Sequence, residues 1–361
     1  MRNSFKNVLI FAVVILLVLA GLSGCGTGDG TSSTGKNNSV NNNINYTETL
    51  KVYNASEYID ETTLADFERE FSIKVEYSEF ESNEDMYDEI SNDPNAYDVL
   101  VPSDYIVDRL IKEDKLAKLD KSKMVNLTHV AEEYMKPAYD PNNDYVVPYM
   151  VGTLGILYNK SKLAEPVDSW ASLFDTKYNG KVLMLDSQRD SIGAALKMLG
   201  FSMNSKDDSE LSQAKSKLLA VRSIAASFIE SEEIRDRMVA GEGFLGVVYS
   251  GDAKTAIDRN PNLAYVIPDE GSNKWVDGFV IMKNSQHIDA AQKFINFMCR
   301  PNIAVRNMSK IGYTSPIKGA WSEFGSNKIM FPPAEALDIC EAFLYDAAAT
   351  QKYTELWSSV R

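Results

Sequence analysis

Apolar positions along this chain follow two alternating rhythms. In "TLKVYNASEY", Leu50 and Val52 alternate with polar neighbours, which predicts a strand ending at Asn54. Leu64, Phe67 and Phe71 then recur at helical spacing, "IKVEY" (73–77) predicts a second strand, and Met86 and Ile90 predict a second helix. "YDVLVPSDY" reads as a third strand running into a turn, and "YIVDRLIKE" is helical again. This alternation of strand and helix is the pattern of a parallel α/β sheet.

Residues 143–160, "NDYVVPYMVGTLGILYNK", break the rhythm. They are β-rich and interrupted by Pro148, Gly152 and Gly155, and they predict a crossover into a second domain. There "WASLF" opens the domain, "GKVLMLD" is a strand, "SIGAALKMLG" is a helix and residues 211–229 are mostly helical. "GFLGVVYSGDA" predicts a strand closing on a small-residue turn, and "LAYVIPDEG" and "GFVIMKN" predict further strands. "KWVDGF" (274–279) follows the turn-forming "DEGSN" and reads as a loop, which sets a large ring beside a carboxylate. Ala291, Phe294, Ile295 and Met298 share one helical face, "IGYTSP" reads as a return crossing, and "ALDICEAFL" and "YTELW" read as C-terminal helices. No internal repeat is visible.

The pattern gives an α/β fold of two lobes joined by several crossings, with a hinge and a cleft between the lobes. Open α/β sheets bind ligands beyond the carboxyl ends of their strands. Residues 54–58, 103–105 and 249–252 are polar and aromatic, and each group follows a predicted strand end.

The N-terminus changes the picture of where the protein works. Arg2 and Lys6 precede an apolar run over residues 8–19, and "LSGC" (22–25) follows. That is a secretory signal, too short to span a bilayer comfortably, and its ending resembles a bacterial lipobox with Cys25 as the lipidated residue. Residues 26–45 are rich in Gly, Ser, Thr and Asn and cannot bury enough apolar surface to order themselves. The expected organisation is a signal peptide over 1–24, a lipid-anchored tether over 25–47, a first lobe of 48–150 with 277–322, and a second lobe of 151–276 with 323–361. The protein is then extracytoplasmic, held at the cell membrane by its lipid.

Composition narrows the partners. Cleavage before Cys25 removes Arg2 and Lys6 and no acid, so the formal net charge moves from −14 to −16. Nucleic acid and anionic membrane are poor partners for such a chain, whereas a cationic solute is drawn in. His129 and His287 have no nucleophile–base neighbour in sequence, and neither a phosphate-cradling glycine loop nor an HExxH motif is present. Ferric sites in two-lobed binding proteins usually use adjacent tyrosines, and no Tyr-Tyr pair occurs. No cofactor, metal or catalytic residue is expected. Cys299 and Cys340 lie in apolar, helix-like patterns and read as buried free thiols.

The stretches "KVYNASEYI", "FESNEDMYDEI", "YDVLVPSDYIVDRLI", "DPNNDYVVPYMVGTLGILYN", "WVDGFVI" and "INFMCRPNIA" with "IGYTSP" resemble, in order, the extracytoplasmic spermidine/putrescine-binding proteins of polyamine ABC importers. The resemblance runs from about residue 48 to 361. It implies a monomeric receptor that binds a polyamine and docks on an importer's membrane and ATPase subunits. It also implies a ligand site made of Ser56, Glu57, Tyr58, Ser103, Tyr105, Asp190, Tyr249, Trp275 and Asp277. Tyr249 stands where the family has a tryptophan, and three further positions depart from the family pattern. Ala55 stands where the family has an aromatic, Ser187 where it has one of two acids (with Asp186 adjacent), and Leu344 falls near a family glutamine. The departures at Ala55 and Ser187 bear on ligand choice, most of all spermidine against putrescine.

Those residue types suit a polyamine. Carboxylates such as Glu57, Asp190 and Asp277 meet ammonium groups, because a desolvated charge without a partner is costly. The faces of Tyr58, Tyr105, Tyr249 and Trp275 cover methylenes and attract cations, and Ser56 and Ser103 accept further N–H bonds. Each residue also has a structural reading. Tyr58 and Tyr105 could close a core, Glu57 and Asp104 could cap helices, Asp190 could sit in a helix's first turn, and Asp277 could stabilise a turn. A related cation such as agmatine or an amino sugar, or a hydrolase built from scattered acids, stands as the alternative function.

Overall fold

The computed structural model describes residues 44–361; the predicted signal peptide, the Cys25 lipidation site and most of the tether lie outside the described residues. In chain order the elements of the first half are β1 (Glu48–Ala55), α1 (Thr62–Phe71), β2 (Ile73–Phe80), α2 (Asn83–Asn92), β3 (Val99–Leu100), α3 (Asp104–Lys112) and β4 (Val147–Asn159). The second half has β5 (Val182–Leu185), α4 (Gln188–Met198), α5 (Asp208–Ile224), β6 (Ala225–Ile229), α6 (Ser231–Val239), β7 (Leu245–Tyr249), α7 (Ser250–Arg259), β8 (Leu263–Val266) and β9 (Lys274–Ile281). Then come α8 (Ile288–Met298), α9 (Pro301–Ile311), α10 (Ala334–Asp338) and α11 (Ala347–Val360).

The sheet runs β2-β1-β3-β9-β4-β7-β5-β6, with β8 paired to β4. β1 is parallel to β2 and β3, and β5 is parallel to β6 and β7, as the strand–helix rhythm predicts. β4 and β9 run antiparallel to their neighbours, so the sheet as a whole is mixed rather than parallel. Residues 147–153 of β4 pair with β9, and residues 154–159 pair with β7 and β8. One strand therefore belongs to both halves. Its apolar residues divide accordingly. Val147, Tyr149 and Met150 join a core with Phe67, Phe279, Phe294 and Met308, whereas Leu154, Ile156 and Leu157 join a core with Trp170, Leu183, Val247 and Tyr353. A third cluster around Met86, Leu110 and Val280 lies under α2 and α3.

Several elements differ from the sequence reading. Pro148, Gly152 and Gly155 do not interrupt β4, whose only irregularity is a register shift between Pro148 and Met150. The glycine at 152 answers a tertiary demand, since a Cβ there would lie 2.4 Å from the Trp275 ring. The helix expected over 211–229 stops at Ile224, and residues 225–229 become β6 because they pair with β5. "KWVDGF" is no loop but the start of β9. "ALDICEAFL" keeps only the short helix α10. Cys299 and Cys340 are both buried and free. Among the described residues no helix is long and apolar enough to cross a membrane.

Candidate functional site

Four strand-to-helix junctions open onto one cavity of about 520 Å³. Its lining includes Ser56, Glu57 and Tyr58 after β1, Ser103 and Tyr105 after β3, Asp190 in the first turn of α4 after β5, and Tyr249 at the end of β7. Trp275 and Asp277 come from β9. All nine residues singled out in the sequence thus line the same cleft. Trp275 and Asp277 do so because residues two apart on a strand share a face, so their spacing was a strand signal rather than a turn.

An aromatic wall stands at the centre. The Trp275 ring lies 5.3 Å from Tyr313 and 6.2 Å from Tyr249, and Tyr313 is 5.3 Å from Tyr58, edge to face. Tyr313 follows Gly312, whose φ of +82° ends α9 in the left-handed region that favours glycine. A side chain there would also meet the Gly251 carbonyl oxygen at 2.6 Å, so the turn that delivers Tyr313 needs glycine twice over.

Carboxylates are set around that wall by hydroxyls. Tyr58 Oη donates to Asp277 Oδ2 at 2.8 Å, and Tyr249 Oη and Ser187 Oγ donate to Asp190 Oδ2 at 2.8 and 2.7 Å. No protein group donates to Asp277 Oδ1 or Asp190 Oδ1, although both atoms are buried, and the Trp275 indole N–H likewise has no protein acceptor. Buried polar atoms almost always find partners, so two carboxylate oxygens left open beside an aromatic face mark a place for a donor from outside the chain. Tyr105 Oη donates to Glu84 at 3.1 Å, and Ser103 is held by Asn83 through two bonds of 3.0 Å. Behind Tyr105, the buried Arg189 faces the Tyr105 and Phe343 rings at 5.5 and 4.5 Å.

Glu57 sits differently. It is exposed at the rim with φ +50°, and its carboxylate pairs with Arg235 of α6 at 3.0 Å. Ser56 lies beside it, half-buried. Asp104 opens α3, accepts from Tyr105 N at 2.8 Å and is buried in the cleft lining. Ser187 stands at the N-cap position of α4, but its hydroxyl donates to Asp190 rather than capping the helix. Asp186 also lines the cleft, with Oδ2 bound by Arg361 at 2.6 Å. Leu344 is exposed and outside the lining, and Phe343 takes the inward place.

Beyond the nine residues singled out in the sequence, Glu84, Asp252, Tyr313, Phe343 and Arg235 also line the cleft. Tyr313 lay in "IGYTSP" and Asp252 in the 249–252 cluster, so both had a signal. Arg235 had none, because "SEEIRDRMV" reads as an ordinary polar surface helix.

Burial raises the acids. It pushes Asp277 up to about 6, aided by the nearby Asp190 and opposed by Ser103 and Tyr58. Burial, then Asp277, pushes Asp104 up to about 8. Glu230 rises to about 7 and Glu232 to about 8, again first through burial. Asp190 is raised by burial as well. A carboxyl raised in the folded state stabilises the fold fully below its unfolded value near 4, and that contribution is lost as pH climbs through 6 to 8. Acids held low, such as Glu113 at about 2 despite its burial, act only below that window. The protein without added ligand should therefore melt at a higher temperature at pH 5 than at pH 8. Thermal melts across that range check it, and a flat profile would contradict the burial of these acids.

Residues 62–331 match the family model described as bacterial extracellular solute-binding protein. The chain belongs to that family. It is 34% identical over 319 residues to the spermidine/putrescine-binding periplasmic protein of Escherichia coli, covering 87% of this chain and 91% of that one. Among solved structures, it matches the PotD substrate-binding protein of a Streptococcus pneumoniae spermidine/putrescine ABC transporter with TM-score 0.73 and 34% identity, over 87% of this chain and 98% of that one. It also matches the TpPotD lipoprotein of Treponema pallidum with TM-score 0.78 and 26% identity, over 87% and 99%. In this solute-binding protein the resemblance read from the sequence and an α/β fold like that of the periplasmic binding proteins are both borne out.

Proposed function

We propose that this protein is an extracytoplasmic receptor for an aliphatic polyamine, spermidine or putrescine, which it hands to the membrane and ATPase subunits of an ABC importer. The observation that carries the reading is the pair of buried, open oxygens on Asp190 and Asp277 beside the Trp275 wall. An ammonium group offers several N–H donors and a positive charge, which satisfies such an oxygen and offsets its desolvation. The methylenes between amines suit the faces of Trp275, Tyr249 and Tyr105. The Escherichia coli relative and the Streptococcus pneumoniae structure, both named for spermidine and putrescine, support the same ligand class.

Residues 48–150 with 277–322, and 151–276 with 323–361, form the two lobes, which close on the ligand about the crossings that include β4. The receptor does no chemistry of its own. It works as a monomer, tied to the membrane by a lipid on Cys25, and a lipoprotein among its structural relatives fits that anchoring.

Titration calorimetry with putrescine, spermidine, spermine and a neutral sugar tests the reading. Heat of binding with at least one aliphatic amine and none with the sugar is expected, and affinity should weaken as pH falls through about 6, where Asp277 takes up a proton. Binding of an amino sugar or agmatine alone would move the assignment to another organic cation. No heat with any of these cations would overturn it.

A further inference from the structure

Three carboxylates flank the aromatic wall, each held by one tyrosine. Asp277 is held by Tyr58, Asp190 by Tyr249 and Asp252 by Tyr313, the last at 3.0 Å. The first two keep one oxygen free of protein donors. Asp252 does not. Its Oδ2 accepts from Ser231 at 2.7 Å as well as from Tyr313, and its Oδ1 accepts from Arg235 Nη1 at 3.2 Å.

Arg235 is fixed there from several directions. The same Nη1 reaches Glu57 at 3.0 Å, Nε reaches Asp236 Oδ1 at 3.1 Å, and the side chain is only 13% exposed. The Asp252 carboxylate with which it pairs is itself only 7% exposed. A guanidinium keeps its charge at every relevant pH and holds carboxylates through a planar fork. At the Asp252 end of the cleft, a cation of the chain itself thus neutralises the carboxylate. Arg235 belongs to α6, whose Ile234 and Met238 pack in the second core, whereas Glu57 follows β1 of the first half. One side chain therefore ties Glu57 to the far side of the cleft.

We propose that Arg235 acts as a resident cation that fills the Asp252–Glu57 end of the cleft and makes this receptor prefer a short diamine over a triamine. The proposal rests on the polyamine reading and deepens it. A diamine brings two ammonium groups, matched in number by the open oxygens of Asp277 and Asp190. A third ammonium directed to Asp252 meets a carboxylate whose two oxygens are already engaged and a fixed positive charge beside it. It must displace the guanidinium or lie against it, and like charges in a desolvated site repel strongly. Glu57, which the sequence assigns to an ammonium, instead serves as the second anchor of Arg235. Arg235 is a positioning residue in this scheme: it shapes selectivity through the two carboxylates it occupies.

Calorimetry with putrescine and with spermidine on the unaltered chain, Arg235→Gln and Arg235→Lys tests this. The unaltered chain should bind putrescine at least about tenfold more tightly than spermidine, the scale of one unpaired or opposed charge. Arg235→Gln, melting as a folded protein, should shift that ratio at least about tenfold towards spermidine by freeing Asp252 and Glu57. Arg235→Lys, which restores a positive charge, should keep the original preference. A merely structural arginine would weaken both amines together and leave the ratio alone. Spermidine binding as tightly as putrescine to the unaltered chain overturns the proposal whether or not the variants fold. An unchanged ratio in folded Arg235→Gln overturns it too, while leaving the polyamine reading intact. If the unaltered chain binds neither amine, the polyamine reading itself falls and takes the proposal with it.

Discussion

Asp277→Asn should weaken binding of the preferred amine at least about thirtyfold, the equivalent of about 2 kcal/mol, which is the low end for removing one member of a desolvated charge pair. The argument is geometric. Tyr58 donates to Oδ2, so in the asparagine the side-chain oxygen stays with Tyr58 and the amide NH2 replaces Oδ1. Oδ1 is the atom that has no protein donor. A donor then faces the donors of an ammonium, and the charge that attracted it is gone. The fold should not suffer. A neutral amide has no ionised form to desolvate, so the melting temperature without amine should hold or rise at pH 8. Calorimetry and melting together separate the outcomes. Near-unaltered affinity in a variant that melts normally would remove Asp277 from the ligand's partners.

Trp275→Ala should cost more than Trp275→Phe in both binding and stability. The indole is nearly buried, packed between Tyr249 and Tyr313 and against Gly152. Truncation to alanine opens a cavity, at roughly 3–5 kcal/mol for a core aromatic, and removes the central face of the wall. Amine affinity should fall at least about tenfold with it, since a cation over a desolvated ring gains roughly 2 kcal/mol or more. Phenylalanine keeps a face. It also deletes an indole N–H that no protein atom accepts, so it gives up no hydrogen bond within the protein. Its affinity should stay within a few-fold, with a modest drop in melting temperature from the smaller ring. Equal losses in the two variants would mean that the tryptophan only packs.

Much of this was legible along the chain. Leu50, Val52 and Phe67, then Met86 and Ile90, announced β1, α1 and α2 because burying one face of an element forces its period on the sequence. The three polar clusters after strand ends pointed to a cleft because open sheets present ligands there. Trp275 and Asp277 stand out in the sequence as a pair, but the turn-forming residues before them read as a loop. The pair's spacing fits a strand face equally well, and the partner strand that decides, β4, lies more than a hundred residues away.

What the sequence determined alone was the kind of groups on offer: an acidic chain with carboxylates and flat rings near the strand ends, which is a matter of residue type. What only the tertiary structure decided was which of those groups are open. Asp277 and Asp190 each keep a free oxygen, while Asp252 and Glu57 are taken by Arg235, from a helix that reads as ordinary surface. Whether a carboxylate has a partner depends on distances between residues far apart in the chain, and a linear pattern carries no record of those distances.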